Sequence, residues 1–273
     1  MEWWQAFILG IVQGLTEFLP VSSSGHLMIF KEIVGADAEG FLDFTVTVHL
    51  ATVIATIVVF WGAIWQLLKG LFKFRYNDET DYICKILVSC IPVAIVGFLF
   101  KDQVDALFGG TLGNVAVGLC ITALLLLLSD NIGRTFWKNR TLRKHRNGIS
   151  YPQALLVGLG QAFAVLPGVS RSGTTISTGL ISGVERGAMA QFSFLMVLIP
   201  IIGEQGLDLL KIATGSGALG GGVGALALVI GFVAAFLSGL FACKVMIAIV
   251  RKAKLSWFAL YCLLVAVAIF IFA

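Results

Sequence analysis

The stretch QGLTEFLPVSSSGH, from Gln13 to His26, decides how this chain is organised. It lies in a strongly apolar N-terminal region, yet it contains the carboxylate of Glu17, three consecutive serines and a histidine around Pro20. An ionisable side chain at membrane depth costs roughly 2.5–3.5 kcal/mol on insertion scales, so such residues are rare and mostly functional. Proline cannot continue a helix from within. We therefore predict a short helix, a polar loop and a second short helix here.

The composition explains the apolar setting of this stretch. Of the 273 residues, 58% are hydrophobic and 12% are charged, whereas globular domains average about 45–50% apolar and about 25% charged residues. So few charges cannot coat a soluble surface, and the composition predicts a polytopic membrane protein. The net charge of +4 is small and lies mainly in a few loops, so it informs membrane topology and gives no sign of a nucleic-acid partner.

A second stretch has the same character. The segment LPGVSRSGTT, from Leu166 to Thr175, is again a polar loop between short apolar helices, and it carries Arg171. An offset of 148 residues pairs the following positions: Gln13 with Gln161, Val21 with Val169, Ser22 with Ser170, Ser24 with Ser172, and Gly25 with Gly173. Apolar composition alone does not explain matched serines, glycines and glutamines. We therefore predict an internal repeat, with repeat 1 over about 1–130, a cytoplasmic basic loop over 131–150 and repeat 2 over about 151–273.

Each repeat contains one broken helix pair followed by three segments long enough to span a bilayer. The predicted spans are 42–68, 82–100, 114–128, 188–210, 223–250 and 255–273. Three is an odd number, so the second copy must enter the membrane with the opposite orientation. The predicted fold is a single all-α polytopic membrane domain over residues 1–273. It is an inverted-topology repeat, in which each half has one re-entrant helix pair and three transmembrane helices.

The distribution of lysine and arginine offers a check on this topology. If the loop 129–150 is cytoplasmic, alternation also places 69–81 and 251–254 in the cytoplasm, and these three loops hold twelve basic residues. The loops on the other side, 31–41, 101–113 and 211–222, hold three. Because cytoplasmic loops carry the excess of lysine and arginine, both termini are predicted to lie outside.

The first loop carries groups that bind anions and move protons. Gln13 and Glu17 are four residues apart and share one helix face, so their oxygens could bind a hard divalent cation with help from substrate phosphates. The run Ser22–Gly25 combines hydroxyls with N–H groups at the start of a helix, which is an anion-binding arrangement. His26 could act as a general acid or base, or orient a serine nucleophile. Purely structural roles stay open for Glu17 and His26.

The second loop repeats the anion site and adds a permanent positive charge. Arg171 can bind phosphate oxygens with two parallel hydrogen bonds, and Gly168 and Gly173 let the backbone approach a ligand closely. Further hydroxyl donors come from Ser170, Ser172, Thr174 and Thr175. Arg171 could instead pair with Glu17 as a buried structural bridge, but that pairing leaves the many hydroxyls unexplained. Together the loops predict a ligand with a phosphate or diphosphate head and a lipid tail.

These two stretches resemble the signature motifs of the bacterial undecaprenyl-diphosphatase family of the bacitracin-resistance type. The phrase GVERGAMAQFSFLM (Gly183–Met196) is also similar, and the resemblance covers essentially the whole chain. It implies a multi-pass enzyme of the bacterial plasma membrane that uses a divalent cation, Mg²⁺ or Ca²⁺. That family removes the terminal phosphate from C55 isoprenyl diphosphate, recycles the lipid carrier for peptidoglycan and other cell-wall polymers, and confers bacitracin resistance when abundant.

The resemblance also implies roles for individual residues. By motif, the catalytic residues are Glu17, Ser23, His26 and Arg171. The substrate-binding residues are Gln13, Ser22, Ser24, Gly25, Ser170, Ser172, Gly173, Thr174 and Thr175, and the metal ligands are Glu17 and Gln13. The family's first motif often reads Glu-x-x-x-Glu, whereas Gln13 stands at its first position here. A glutamine cannot act as a base and is a weaker metal ligand, so the acid–base role falls to Glu17 or His26.

The sequence leaves several alternatives open. Either Ser23 attacks the terminal phosphorus, assisted by Glu17 or His26, or an activated water does. A transporter or flippase of lipid phosphates would use the same inverted repeats and anion-binding loops, although a histidine beside serine hydroxyls and the family resemblance favour the hydrolase. Expected partners are the C55 diphosphate lipid and membrane lipids, with no nucleic acid, and a homodimer stays open. No role is assigned to Asp43, His49, Glu204 and Asp208.

Overall fold

Every regular element is helical in the part of the chain that the computed structural model describes, which is residues 1–36, 40–100, 103, 112–139, 146–213 and 223–272. Within these ranges there are eleven α-helices and one 3₁₀ turn, Arg146–Gly148. The helices are α1 (Trp3–Phe18), α2 (Ser23–Val34), α3 (Phe41–Val59), α4 (Trp61–Leu71), α5 (Asp78–Leu99), α6 (Leu112–Asn139), α7 (Tyr151–Phe163), α8 (Arg171–Ile181), α9 (Arg186–Ala213), α10 (Ala225–Lys252) and α11 (Ser256–Phe272).

Five of these helices are long and apolar enough to cross a membrane: α3, α5, α6, α9 and α10. Helix α11 is strongly apolar but shorter, with 17 residues. Large apolar side chains project outward from the spanning helices, among them Phe98, Leu226 and Phe241. Lipid covers such a surface in a membrane protein, whereas a soluble monomer rarely exposes it. The all-helical, multi-pass membrane class predicted from composition is therefore confirmed.

Helix boundaries differ from the predicted spans in two places. The predicted span 42–68 is divided at Phe60, which separates α3 from α4 and buries its ring against Phe194, with centroids 5.9 Å apart. The predicted loop 129–150 is shorter, because α6 continues to Asn139. Hydropathy shows only where a helix leaves the hydrocarbon core of the membrane. Polar residues can continue the same helix into water, so the helix can be longer than its apolar run. Most of the predicted loops 101–113 and 211–222 lies outside the described residues.

The two polar loops are also shorter than the sequence predicts, because their ends are helical. Helix α2 begins at Ser23 and α8 begins at Arg171, so both of these residues belong to the first turn of a helix. The side chains expected to bind anions therefore project from helix N-termini, where the backbone dipole favours negative charge.

Glycines let the short helices α1 and α7 approach their neighbours closely. Helix α1 packs along α10, and α7 packs along α5. A Cβ atom on Gly14 would collide with Ser238 of α10, and one on Gly158 would collide with the backbone of Ser89 in α5. Helices in a membrane pack through such small residues because apolar side chains gain nothing by leaving lipid.

The polar loops meet in the interior of the bundle. Gly168, at φ +78°, lies against the backbone of Val115 in α6, where no larger side chain fits. The Ser170 N–H donates to Thr122 Oγ1 of α6 at 2.9 Å, which fixes the second loop. The Ser172 hydroxyl then donates to the Leu19 carbonyl of the first loop at 3.0 Å. The C-terminus of α1 and the N-termini of α2 and α8 are brought together in this way.

Candidate active site

Glu17 is the centre of a hydrogen-bonded cluster at the end of α1. Its Oε2 accepts a hydrogen bond from Ser23 Oγ at 2.6 Å and another from Gln13 Nε2 at 2.9 Å. Gln13 is fully buried, whereas the Glu17 side chain keeps 13% exposure. The helix face predicted for Gln13 and Glu17 is therefore present as a direct contact. The serine hydroxyl on the same oxygen places a nucleophile beside a base.

The turn that returns Ser23 to Glu17 depends on Ser22. This residue has φ 68° and ψ 95°, a region that residues other than glycine seldom occupy. Its buried hydroxyl accepts a hydrogen bond from the Gly25 N–H at 3.3 Å and so caps α2. Strained backbone of this kind persists only where surrounding contacts hold it, and it is common at functional sites.

The second loop has the same capping arrangement. Ser170 Oγ accepts from the Gly173 N–H at 3.1 Å and lies 3.3 Å from Ser172 Oγ. In the first loop, Ser22 Oγ lies 3.5 Å from Ser24 Oγ. The Gly25 and Gly173 amides thus donate to the cap residues Ser22 and Ser170.

Other backbone donors remain at the two helix N-termini. Within the described residues, the N–H groups of the first two residues in each helix have no hydrogen-bond partner: Ser23, Ser24, Arg171 and Ser172. Orphan donors of this kind bind anions, and the helix dipole reinforces them.

Arg171 lies close to Glu17 but does not form a direct bridge to it. Among the described residues its guanidinium has no hydrogen bond or ion pair, although it is near enough to act electrostatically on Glu17. The buried Glu17–Arg171 bridge considered from the sequence is therefore not the observed arrangement. The five N–H donors of the guanidinium remain available to a ligand.

Glu17 and Arg171 line the same cleft, whose volume of about 450 Å³ includes space that is open to the outside. Thr175 also lines it, and its hydroxyl lies 2.7 Å from Ser193 Oγ. The apolar side of the pocket consists of Phe18, Val53, Phe194, Val197, Leu198 and Ile201. Part of the pocket lining is therefore polar and charged and part is apolar. Such a lining suits a ligand with an anionic head and an apolar tail.

His26 forms no hydrogen bond with Glu17 or Ser23. Its Nδ1 is 2.8 Å from the Ser22 carbonyl oxygen, and a carbonyl only accepts, so this nitrogen donates. Its Nε2 is 2.8 Å from the Tyr261 hydroxyl, and the two rings stack with centroids 5.6 Å apart. A neutral imidazole satisfies both contacts. The structure thus brings Glu17, Ser23 and Arg171 together and bonds His26 to Tyr261.

The donors present fit a hard cation only if a ligand supplies further oxygens. Gln13 Oε1 is buried next to the Glu17 carboxylate and has no hydrogen-bond partner among the described residues. The described residues contain no group of three or more His, Cys, Asp or Glu side chains that could hold a metal ion. Mg²⁺ is often bound by one or two carboxylates together with substrate phosphates. The donor set fits a cation of that kind.

Two residues at the site were not predicted from the sequence. His49 Nε2 of α3 lies 3.8 Å from Glu17 Oε2, and Tyr261 of α11 contacts His26. For His49 the available signal was an ionisable side chain on an apolar helix, which needs a polar partner. Another predicted residue, Thr174, has a buried hydroxyl without a partner in the described part of the chain.

Comparison with known proteins agrees with these motifs. The model of a family described as Bacitracin resistance protein BacA matches residues 6–268. A protein named undecaprenyl-diphosphatase from Bacteroides fragilis is 51% identical over 98% of this chain and 97% of its own length. Proteins of the same name from Bacteroides thetaiotaomicron and Christiangramia forsetii are 49% and 47% identical, each over at least 99% of both chains. The chain belongs to the BacA family of bacitracin resistance proteins.

Proposed function

We propose that this membrane protein hydrolyses undecaprenyl diphosphate to undecaprenyl phosphate and inorganic phosphate. The observation that carries the proposal is the 2.6 Å hydrogen bond from Ser23 to Glu17, beside a pocket that Arg171 also lines. The names of close relatives support the same reaction. Its product is the lipid carrier on which peptidoglycan and other wall polymers are built, and greater amounts of the enzyme counter bacitracin.

Ser23 acts as the nucleophile and Glu17 as its base. As Ser23 Oγ bonds to the terminal phosphorus, its proton passes to Glu17 Oε2 and the bond from that phosphorus to the bridging oxygen breaks. Undecaprenyl phosphate leaves with the bridging oxygen and takes the proton from Glu17. Water then attacks the phosphoserine, Glu17 accepts a proton from the water, and the Ser23 oxygen regains a proton as inorganic phosphate leaves.

Arg171 and the orphan N–H groups of the two helix N-termini bind the diphosphate. The N–H groups are held by their helices before the substrate arrives, so they stabilise charge on the phosphoryl oxygens without rearranging during the reaction. Arg171 adds a permanent positive charge. The apolar wall of the pocket receives the first units of the isoprenyl tail. His26, with both ring nitrogens satisfied, supports the turn that carries Ser23.

A divalent cation, Mg²⁺ or Ca²⁺, belongs to the same proposal. The carboxylate of Glu17 and the unpartnered Oε1 of Gln13 would hold it together with diphosphate oxygens. When bound, such a cation neutralises phosphate charge and orients the substrate.

The site lies between two inverted repeats, in which α1–α2 and α7–α8 are re-entrant pairs. Their equivalent serine caps support this relation, as does the packing of each short helix on a long one. With 16 residues, α1 reaches only about 24 Å, less than the roughly 30 Å hydrocarbon core. Both termini lie outside the bacterial plasma membrane, and the basic loops face the cytoplasm.

The test is phosphate release by purified protein in detergent, with Mg²⁺ or Ca²⁺ and a short isoprenyl diphosphate. Wild type should release phosphate, and Ser23→Ala or Glu17→Gln should lower kcat by about 100-fold or more. Arg171→Ala should abolish release. Thr47→Val is the matched control, because its hydroxyl bonds within its own helix, to the Asp43 carbonyl.

The outcomes separate the alternatives. A transporter or flippase would release no phosphate even as wild type. Trapping terminally labelled phosphate on wild type but not on Ser23→Ala supports the phosphoserine. If Ser23→Ala keeps its activity while Glu17→Gln loses it, water attacks directly. Full activity in Glu17→Gln or Arg171→Ala would remove the assignment of the site.

A further inference from the structure

The phrase GVERGAMAQFSFLM (Gly183–Met196) reaches the candidate active site through two consecutive residues of α9. These are Ser193 and Phe194, and both line the pocket that Glu17 and Arg171 also line. We infer that Ser193 is a further substrate-binding residue, whose hydroxyl donates to an oxygen of the phosphate that carries the isoprenyl chain. The inference rests on the proposed function, because it gives Ser193 a task in binding that substrate.

The Ser193 hydroxyl differs from its neighbours in how its proton is used. Thr52 and Thr56 of α3 also line the pocket, but each donates at 2.8 Å to a carbonyl of its own helix. Ser193 is buried, and its one hydrogen-bond partner among the described residues is the Thr175 hydroxyl, at 2.7 Å. A hydroxyl has one proton to donate and two lone pairs that accept. The Ser193 proton is therefore not held by its own helix.

Thr175 allows Ser193 to turn its proton to a ligand. Thr175 Oγ1 lies 2.7 Å from Ser193 Oγ and 2.9 Å from the carbonyl oxygen of Arg171, one helical turn earlier. When Thr175 donates to that carbonyl, Ser193 donates to Thr175. When a phosphate oxygen accepts from Ser193, Thr175 donates to Ser193 instead, and the carbonyl keeps the backbone N–H that the helix supplies. Binding an anion here therefore leaves no buried hydroxyl without a partner.

Ser193 lies where the polar part of the pocket meets its apolar part. The next residue, Phe194, packs on Phe18, which follows Glu17 in the chain, with ring centroids 5.9 Å apart. In the other direction along α9, the same helix face continues to Ile201, about 12 Å away, which also lines the pocket. A substrate with its terminal phosphate at Glu17 and its tail along this apolar face brings its lipid-bearing phosphate to Ser193.

The test compares two ligands, of which one contains the lipid-bearing phosphate. A C15 isoprenyl monophosphate has that phosphate and a tail, whereas inorganic phosphate is the other product of the reaction. We expect Ser193→Ala to weaken binding of the monophosphate about 10-fold, as is typical when a hydrogen bond to a charged group is lost. Binding of inorganic phosphate should stay within about 2-fold of wild type, because Arg171 and the helix N-termini hold it.

Two further variants control for effects on packing. Ser193→Thr keeps the hydroxyl and should bind the monophosphate within about 3-fold of wild type. Ser89→Ala is the matched control, because the buried Ser89 hydroxyl donates to the Ile86 carbonyl of its own helix at 2.6 Å. It should match wild type for both ligands.

Binding and turnover are measured separately. Dissociation constants come from the rise in the midpoint of thermal unfolding in detergent as each ligand is added. Phosphate release from a C15 isoprenyl diphosphate gives kcat and KM. Ser193→Ala should raise KM about 10-fold with kcat within about 3-fold of wild type, since a hydrogen bond made in both the bound substrate and the transition state acts on binding.

Equal dissociation constants for the isoprenyl monophosphate in Ser193→Ala and wild type would overturn the role of Ser193. A lower unfolding midpoint without ligand, at unchanged dissociation constants, would overturn it too and leave Ser193 as a structural contact between α8 and α9. Equal losses for the monophosphate and for inorganic phosphate would overturn the assignment to the lipid-bearing phosphate. Absence of phosphate release by wild type would instead contradict the proposed function, and the binding measurements would still test Ser193.

Discussion

Ser23 reaches Glu17 because the backbone of Ser22 turns sharply between them. Helix α1 ends at Phe18, two residues before Pro20. Ser22 then has a positive φ, and α2 starts with Ser23 in its first turn. The contact between the proposed nucleophile and base is thus local, within the seven residues from Glu17 to Ser23. The parts that act on Glu17 from outside this turn, Arg171 and His49, come from distant elements.

At this scale, Tyr261→Phe distinguishes a structural from a catalytic His26. Removing the hydroxyl leaves the buried His26 Nε2 without its partner, which costs roughly 1–3 kcal/mol of stability. We expect a lower unfolding midpoint but a kcat within about 3-fold of wild type, since neither His26 nitrogen contacts Ser23 and losing a catalytic acid or base costs about 100-fold or more. A fall of that larger size at an unchanged midpoint would assign the chemistry to His26. Phosphate release and thermal unfolding of the same preparation give both numbers.

At the residue scale, the sequence predicts a contact best where the two residues are close along the chain. The four-residue spacing of Gln13 and Glu17 predicts their common helix face, and a hydrogen bond joins them. The contact from Glu17 to His49 joins residues on α1 and α3, and no spacing rule covers it. Tyr261 is still farther from His26 in sequence. Such contacts follow from helix packing, which hydropathy and propensity do not encode.

At the scale of elements, α1 matters because it carries Gln13 and Glu17 into the bundle. Its approach to α10 depends on glycine, since a Cβ on Gly14 would collide with Ser238 and with the Ala235 carbonyl. The apolar run before Pro20 predicts a short helix here, and α1 indeed runs from Trp3 to Phe18. The break at Phe60 was not predicted, because nothing in an apolar run marks where a tertiary contact bends the chain.

Gly14→Leu should therefore damage the site from a distance. Overpacking a tight contact costs about 1–3 kcal/mol, and α1 must shift to relieve it, which moves Glu17. We expect a lower unfolding midpoint and a loss of phosphate release larger than the loss of folded protein. The matched control is Gly97→Leu on α5, because a Cβ on Gly97 meets no atom of the described residues within 4 Å. Equal behaviour of the two variants would contradict the role given to the α1–α10 contact.

At the scale of the whole molecule, the apolar exterior and the basic loops both indicate a protein that lies in a membrane. The five spanning helices carry exposed leucine, valine, isoleucine and phenylalanine along their lengths. Trp61 and Trp65 stack at 6.1 Å in α4, and Lys69 lies over the Trp65 ring at 5.3 Å. Tryptophan and lysine of this kind concentrate at the membrane–water interface. Composition alone predicted the membrane class, because surface chemistry depends on average content rather than on specific contacts.

Orientation is the property of the whole molecule that a direct experiment can decide. The proposed inverted repeat and the bias of lysine and arginine predict that residue 2 lies outside and that the loop containing Lys73 lies in the cytoplasm. In a variant whose five native cysteines are replaced by serine or alanine, Glu2→Cys and Lys73→Cys each introduce one exposed thiol.

A membrane-impermeant maleimide added to intact bacterial cells should label the thiol at position 2 and leave the one at position 73 unlabelled. Permeabilised cells should show labelling at both positions, which controls for reactivity. Labelling of position 73 alone in intact cells would reverse the orientation, and labelling of both would contradict an odd number of crossings between them.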